Sequence, residues 1–311
     1  MLHSMQKVDK LNMIINNLLM LNVGYASHNG DWNYENVNSP FTRIYYVTKG
    51  EAKVKIGDET HALTPGHLYI IPTFTEHSDI CTGLFEHYYV HFYEEGTSGK
   101  TITDTMEFPF EIEATSMDLI LFQNLCEHNQ AMRLRYSDPK LYDNKTSLID
   151  CTNFNRKRPI YDRMESMGIL FQLFGKFVKA GRPKFQTKDE RIGGALDYIE
   201  QHYTEIGNIK ELADKLYMSC DHLIRLFKHE VGVTPMQFII NKKMTAARMM
   251  IASESMPIKE IAYTLGYDDI SYFNRIFKQH THCTPSQYRR MFNVSQNLGE
   301  ADGLKVTVEK V

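Results

Sequence analysis

A chain of 311 residues is long enough for two domains, and 42% hydrophobic against 23% charged residues favours packed globular structure over long disorder. Apolar runs such as Leu68-Tyr69-Ile70-Ile71 fall far short of the roughly 20 residues that cross a bilayer, and Asn and Asp break up the opening MLHSMQKVDKLNMIINN where a secretion signal would be apolar, so a cytoplasmic chain with no membrane partner is expected. The net charge of −3 is uneven: twelve Lys and Arg face nine Asp and Glu from Gln201 to Asn293, a balance of +3, so the rest carries −6 and a polyanion partner suits the basic part. Cys81, Cys126, Cys151, Cys220 and Cys283 are odd in number and never form a CxxC pair, which points away from a disulfide framework or a Cys-based zinc site.

In chain order, residues 25–110 read as strands. Arg43-Ile44-Tyr45-Tyr46-Val47-Thr48 is β-branched and aromatic and stops at Lys49-Gly50. Ala52-Lys53-Val54-Lys55-Ile56 alternates and closes at Gly57-Asp58, and His87-Tyr88-Tyr89-Val90-His91-Phe92-Tyr93 is a further aromatic strand. Short strands without helical periodicity between them predict an antiparallel barrel or sandwich. Residues 116–180 turn helical, with apolar stripes at Met117, Leu119, Ile120, Leu121 and Leu125 and at Met167, Ile169, Leu170, Leu173 and Phe177. A polar, mobile stretch is expected between them, around residues 136–158, and Gly181-Arg182-Pro183 reads as a linker. The division expected is residues 1–182 for the strand-rich part, helical from about 116, then 188–293 for an all-helical part and 294–311 for a tail.

The helical part repeats itself. Ile209-Lys210-Glu211-Leu212-Ala213 returns 49 residues later as Ile258-Lys259-Glu260-Ile261-Ala262. Leu226-Phe227-Lys228 and Thr234-Pro235-Met236-Gln237 return 50 residues later as Ile276-Phe277-Lys278 and Thr284-Pro285-Ser286-Gln287. The change of offset belongs to a turn, where one extra residue is tolerated. Thr-Pro-x-Gln spells a helix start, with Thr as cap, Pro at the first position and Gln completing a capping box. Asn208 with Glu211 is a similar box, and Ser219 and Asp269 can cap the second helix of each copy. Each copy is therefore helix, turn, helix, and the second helix can enter a DNA major groove. Its apolar face is Leu223, Leu226 and Phe227 in one copy and Phe273, Ile276 and Phe277 in the other. Asp221, His222, Ile224 and Arg225, with Ile270, Ser271, Asn274 and Arg275, are the candidates for reading bases: Arg suits guanine, Asn suits adenine, and Ile can meet a thymine methyl. Ser219, Lys228, Lys243 and Lys278 are the candidates for phosphate. Double-stranded DNA is the expected partner.

These residues resemble the DNA-binding domain of AraC-type regulators over about residues 192–292. The signature is carried by Gly266-Tyr267, by Ser271-Tyr272-Phe273-Asn274-Arg275-Ile276-Phe277-Lys278 and by Thr284-Pro285-Ser286-Gln287-Tyr288-Arg289. The resemblance implies two recognition helices in successive major-groove turns, joined by a long helix from Pro235 to about Ser253. The family usually has Gly where His282 stands, so a different ending is expected for that helix, and Ile224 replaces a small polar residue. Leu63-Thr64-Pro65-Gly66-His67 through Pro72 and His77, followed by Tyr89-Val90-His91-Phe92, is similar to the family's cupin-like sensory domain. The implied fold is α+β: an antiparallel cupin-like barrel with helices, then an all-α double helix-turn-helix domain.

Such a barrel would bind a small-molecule effector, a carbohydrate among the candidates, with Trp32, Tyr34, Tyr45, Tyr46, His77 and His91 as candidate ligand residues. Ordinary barrel core is the alternative for the same six. The rival function is a cupin metalloenzyme or isomerase fused to a helical interaction module. His77, His87 and His91 are its candidate ligands, but Phe74 replaces the usual Gly of the second cupin motif and Tyr45-Tyr46-Val47-Thr48 occupies the strand of the first. No metal, cofactor or enzymatic activity is therefore expected. The two apolar helical stripes suit either a homodimer interface or packing on the barrel.

Overall fold

The computed structural model describes residues 17–95, 101–185, 187–253 and 256–293; the expectations for the opening segment and for the 294–311 tail fall outside them. Strands come first: β1 (Asn17–Asn29), β2 (Tyr34–Val37), β3 (Thr42–Gly50), β4 (Ala52–Ile56), β5 (Glu59–Leu63), β6 (His67–Ile71), β7 (His77–Ile80) and β8 (Leu84–Glu95). After them come α1 (Ile102–Thr105), β9 (Met106–Glu107) and β10 (Glu111–Glu113). Two antiparallel sheets result, in the orders β1-β8-β3-β6-β10 and β2-β7-β4-β5. The predicted turns at Lys49-Gly50 and Gly57-Asp58 fall where β3 and β4 end.

The larger sheet is covered on both faces, so β3, β6 and β8 send apolar residues to both sides instead of alternating with exposed polar ones, and Arg43, His87 and His91 are polar residues buried among them. Tyr45, Val47, Tyr69, Ile71, Phe85 and Tyr89 point between the sheets, where they meet Trp32, Val54 and Leu63. Ile44, Leu68, Ile70, Val90 and Phe92 point the other way, under a layer of helices. That layer is α2 (Ser116–His128) and α5 (Ile160–Ala180), which bury Leu121, Phe122, Leu125, Leu170, Leu173, Phe174 and Phe177 on the sheet. Each such side chain contributes about 1.5–3 kcal/mol when fully buried.

The stretch between these helices is ordered, against the mobile segment expected from its polarity. It forms α3 (Pro139–Tyr142) and α4 (Lys145–Lys157), with Asp138 and Asn144 as caps. Leu148 of α4 packs with Leu19, Leu21 and Phe41, and Asn155 donates to the Met20 carbonyl. Two well-placed anchors and one side-chain cap hold α4, whose apolar pattern is too sparse to announce it. The predicted linker also has structure, since β11 (Arg182–Pro183) pairs with β9.

The C-terminal part is α6 (Glu190–His202), α7 (Ile209–Lys215), α8 (Cys220–Val231), α9 (Pro235–Ser253), α10 (Ile258–Thr264), α11 (Ile270–Thr281) and α12 (Pro285–Asn293). It has two cores, one for each repeat. Ile192, Ile199, Leu212, Leu223 and Phe227 make the first; Ile261, Leu265, Phe273, Phe277, Tyr288 and Phe292 make the second. The long helix α9 serves both, with Phe238 and Ile239 in one and Met244, Ala247 and Ile251 in the other.

Candidate nucleic-acid interface and ligand site

The two repeats close their turns with the same hydrogen bonds. Met218 N donates to Ala213 O and Tyr217 N to Asp214 O; Tyr267 N donates to Ala262 O and Gly266 N to Tyr263 O. The offset is still 49 at Met218 and Tyr267 and is 50 at the caps Ser219 and Asp269, so Asp268 is the extra residue. Ser219 Oγ accepts from His222 N at 3.4 Å, and Asp269 Oδ1 accepts from Ser271 N at 2.7 Å. Both Thr-Pro-x-Gln starts form reciprocal boxes. Gln237 N donates to Thr234 Oγ1 at 3.3 Å and Thr234 N to Gln237 Oε1 at 3.2 Å, with 3.2 and 2.8 Å for the Thr284–Gln287 pair. The Asn208 box is looser, because Glu211 accepts from Gly207 N and from the Asn208 side chain instead of the Asn208 backbone. Caps of this kind are worth about 1 kcal/mol each and fix where each second helix begins.

With Leu223 and Phe227 buried on α8 and Phe273 and Phe277 on α11, the opposite faces are left to solvent. Asp221, Arg225 and Lys228 are exposed there, with His222 and Ile224 half-buried beside them and Ser219 exposed at the cap. On α11 the exposed set is Ser271, Arg275 and Lys278, with Ile270 and Asn274 half-buried. The Arg275 guanidinium lies over the Tyr272 ring at 5.2 Å, which pre-aims it along the helix. Lys243 is a correction. It is buried on α9, its ammonium 3.5 and 3.4 Å from the carbonyl oxygens of Thr204 and Ile206 and 5.0 Å from the Tyr267 ring, so it braces the α6–α7 loop and reaches no phosphate. The end of α11 is another correction. His282 takes the left-handed conformation (φ 61°) that Gly232 takes in the first copy (φ 87°), so the two helices end alike despite the side chain.

Between the sheets, odd-numbered residues of β3, β7 and β8 bring Arg43, Tyr45, His77, Asp79, His87 and His91 together, all buried. Trp32 joins them, stacked with His28 and edge-on to Tyr45, and Tyr34 is half-buried alongside. Tyr46 does not join. Adjacent strand residues face opposite ways, and its ring lies 6.1 Å from Phe122 under the helices, which corrects its place among the ligand candidates. Arg43, Asp79, Tyr142 and Asp143 were missed. Parity could have found the first two, since Arg43 shares a face with Tyr45 and Asp79 with His77; Tyr142 and Asp143 arrive from the distant α3 segment.

The electrostatics of this interior are unusual. Burial, and then the Arg43 charge, pushes His77 down to about 3; burial pushes His87 down to about 3 and Asp79 up to about 7. His91 is lowered well below its ordinary value by burial. The imidazoles are therefore neutral near pH 7 and can each donate and accept. Six buried atoms, His28 Nε2, His77 Nε2, Asp79 Oδ1, His87 Nδ1, His91 Nδ1 and Asp143 Oδ1, have no hydrogen-bond partner among the described residues. Each such group costs about 1–3 kcal/mol when left unpaired, so water or a polyhydroxylated molecule gains there. No three His, Cys, Asp or Glu side chains among the described residues are arranged to hold a metal ion.

One arginine links the two parts of the chain. Arg248 of α9 lies 3.8 Å over the Phe74 ring, donates to Asn38 Oδ1 at 2.9 Å and to Tyr288 Oη at 3.2 Å. Phe74 follows β6 in a left-handed conformation (φ 57°), and its N–H bonds the Ser39 carbonyl. α4 also meets α9 and α12. No helix among the described residues is long and apolar enough to cross a membrane.

A family model described as a helix-turn-helix domain matches residues 212–291, and one described as an AraC-like ligand binding domain matches residues 23–95. The HTH-type transcriptional regulator YisR of Bacillus subtilis is 26% identical over 84% of this chain and 90% of its own length. The lactose operon transcription activator of Staphylococcus xylosus is 22% identical over 81% of this chain and 85% of its own. A crystal structure of ToxT from Vibrio cholerae is 15% identical, covering 90% of this chain and 99% of that one at a TM-score of 0.43. Matched in its sheet domain by the one model and in its paired helices by the other, the chain belongs to the AraC-type transcription regulators, with an N-terminal ligand-binding domain and a C-terminal helix-turn-helix DNA-binding domain.

Proposed function

We propose that α8 and α11 read bases in two major-groove turns, that the interior between the sheets senses a small hydroxyl-rich molecule, and that binding there alters how the DNA-binding part is held. Arg225, Asp221, His222 and Ile224 read one site, and Arg275, Asn274, Ser271 and Ile270 the other; Ser219, Lys228 and Lys278 hold phosphates. The observation that carries this reading is the matched pair of capped helices, each with its apolar side buried and one exposed Arg at the same position. A carbohydrate is the effector class proposed. Neutral imidazoles and an acid with a free oxygen suit hydroxyl groups, and the buried Trp32 ring packs beside them against His28, Phe85 and His87. Relatives named for the lactose and arabinose operons point the same way.

The sensory part spans residues 1–182 and the DNA-binding part 188–293. The chain works in the cytoplasm as a homodimer and catalyses no reaction. Met117 and Ile120 on α2 and Met164 on α5 are 56%, 47% and 61% exposed and form the proposed dimer face. Pairing two DNA-binding parts raises affinity through effective concentration. Sedimentation of Ile120→Glu beside wild type checks the dimer.

The test of DNA reading is binding to the chain's own upstream DNA against a shuffled control, across a salt series. Arg225→Ala and Arg275→Ala should each cost about 10- to 100-fold and erase the preference, as loss of a bidentate base contact does. Equal, salt-insensitive binding of wild type to both DNAs would reject the reading.

A further inference from the structure

The sensory interior already holds a carboxylate that does not belong to its walls. Asp143 comes from the segment after α3 and is placed beside Arg43, a guanidinium only 2% exposed. Tyr142 comes with it, its ring stacked on His91 at 5.4 Å and its phenol near enough to the same guanidinium to act on it electrostatically. The charge pair is poor. Arg43 Nη2 is 3.8 Å from Asp143 Oδ2, and the contact is relayed by Ser39, which accepts from Arg43 at 2.6 Å and donates to Asp143. The other oxygen of Asp143 is buried without a partner. An arginine normally grips a carboxylate through two short parallel hydrogen bonds, and neither bond is made here. A buried charge without that geometry is held at a cost.

We propose that Asp143 is an internal stand-in for an acidic effector: a small hydroxylated carboxylate, such as a sugar acid, takes Arg43 in the sensory interior and displaces Asp143 and Tyr142. This rests on the proposed sensing role of the barrel and narrows its ligand to an anion. Arg43 supplies the bidentate grip that Asp143 fails to complete, while His77, Asp79 and His91 present the unpartnered atoms that hydroxyl groups would meet. The neutral imidazoles around it add no second positive charge, and Asp79, pushed up to about 7 by burial, is protonated below that pH, so one carboxylate then matches Arg43.

Displacement has a path to the DNA-binding part. Asp143 is followed at once by Asn144, the cap of α4, whose Oδ1 accepts from Ser147 N at 3.0 Å. α4 packs on α9 and α12, and the Tyr288 phenol, raised chiefly by burial, also feels the Asp143 carboxylate. Ser39, which relays the Arg43 contact, is next to Asn38, the acceptor of Arg248. Freeing Asp143 therefore acts on the α4 contact and on the Arg248 contact from one point.

The test uses the full chain and four sugars: galacturonate and gluconate beside neutral galactose and glucose, with formate as the minimal carboxylate. Calorimetry should show the acids binding wild type and the neutral sugars failing to compete. Asp143→Ala leaves a carboxylate-sized gap, so formate should raise its melting midpoint and leave that of wild type unchanged. Should that variant not fold, Asp143→Asn keeps the shape, and its acid affinity should be about tenfold or more above wild type. Hydrogen exchange on wild type should show residues 139–147 opening with the acids alone. If galactose binds as tightly as galacturonate and formate has no effect on Asp143→Ala, the acidic class is overturned while a sensing barrel stands. If Arg43→Met, folded by circular dichroism, keeps wild-type acid affinity, the anchor is wrong and the proposal fails. If formate and all four sugars bind neither protein, this proposal and the carbohydrate reading fall together, with DNA binding untouched.

Discussion

The turn of the second repeat contains the sharpest test of how this sequence sets its fold. Gly266 has φ 72°, and a Cβ built on it would lie 1.8 Å from the Thr204 carbonyl oxygen. Tyr217, the matching residue of the first repeat, has φ 53° and a side chain 98% exposed. The same backbone bend is therefore closed to any side chain in one copy and open in the other. In Gly266→Ala, the left-handed conformation costs about 1–2 kcal/mol and the overlap with a backbone carbonyl forces a shift costing at least as much again. The α6–α7 loop would have to move, and that loop is braced by Lys243 through Thr204 and Ile206. The expected loss is about 3 kcal/mol in urea unfolding followed by helical circular dichroism, with DNA affinity falling because the start of α11 shifts. Tyr217→Ala, at the same conformation, should change stability by less than about 0.5 kcal/mol, since a non-glycine residue already bears the strain. A Gly266→Ala loss below 1 kcal/mol, or equal losses in the two repeats, would refute this account.

His282→Gly should stabilise the C-terminal part by about 0.5–1 kcal/mol in the same assay, because the residue already sits at φ 61°. Lys228→Ala and Lys278→Ala should each weaken all DNA alike and reduce the slope of log affinity against log salt by about 0.9, whereas Lys243→Ala should lower stability and leave that slope unchanged. Arg248→Ala removes the ring stacking on Phe74 and two hydrogen bonds, and limited proteolysis should then cut faster between the two parts while each keeps its own melting transition. Acidification should weaken the sensory part in urea melts. His77 and His87 titrate near 6.5 when unfolded and about 3 when folded, so each takes up a proton on unfolding as pH falls below 6.5, and His91 does likewise. Asp79 and Asp143, raised to about 7 and about 6, bind protons in the folded state and oppose the trend. Near pH 5 the five groups leave a net uptake of about one proton on unfolding, or about 1.4 kcal/mol lost per pH unit; stability flat or rising from pH 6 to 5 would contradict the buried neutral imidazoles.

The DNA-binding half was legible because its information is local. Caps and the 3.6-residue periodicity lie within ten residues of what they specify, the repeat states them twice, and together they predicted both helix pairs and the one-residue change of offset at a turn. The failures there were tertiary. Lys243 read as a free cation because only the fold brings the Thr204 and Ile206 carbonyls to it. His282 was expected to end its helix differently, yet the Thr284–Gln287 box fixes the next helix start so closely that a left-handed residue is needed whatever its side chain. The strand-rich half was legible as strands but only partly as a site. Tyr45 and Tyr46 could not both face inward, and applying that parity would have replaced Tyr46 with Arg43.

What no local pattern could supply is the arrival of Tyr142 and Asp143. They stand 100 residues after Arg43, in a polar segment whose helices carry almost no apolar signal. Their position matters because contacts between the two parts of the chain are few. Arg248 reaches Asn38 and Phe74, and α4 reaches α9 and α12, around a cleft of about 1000 Å³ lined by Pro40, Phe74, Leu148, Phe238 and Met250. Arg248 and α4 both meet residues next to Ser39 or Asp143, so a change of a few hydrogen bonds there acts directly on contacts that hold the DNA-binding part. A large, continuous interface would need a far larger differential affinity to release it. Sensing in this chain therefore depends on placing the ligand's charge beside the residues from which the Arg248 and α4 contacts start.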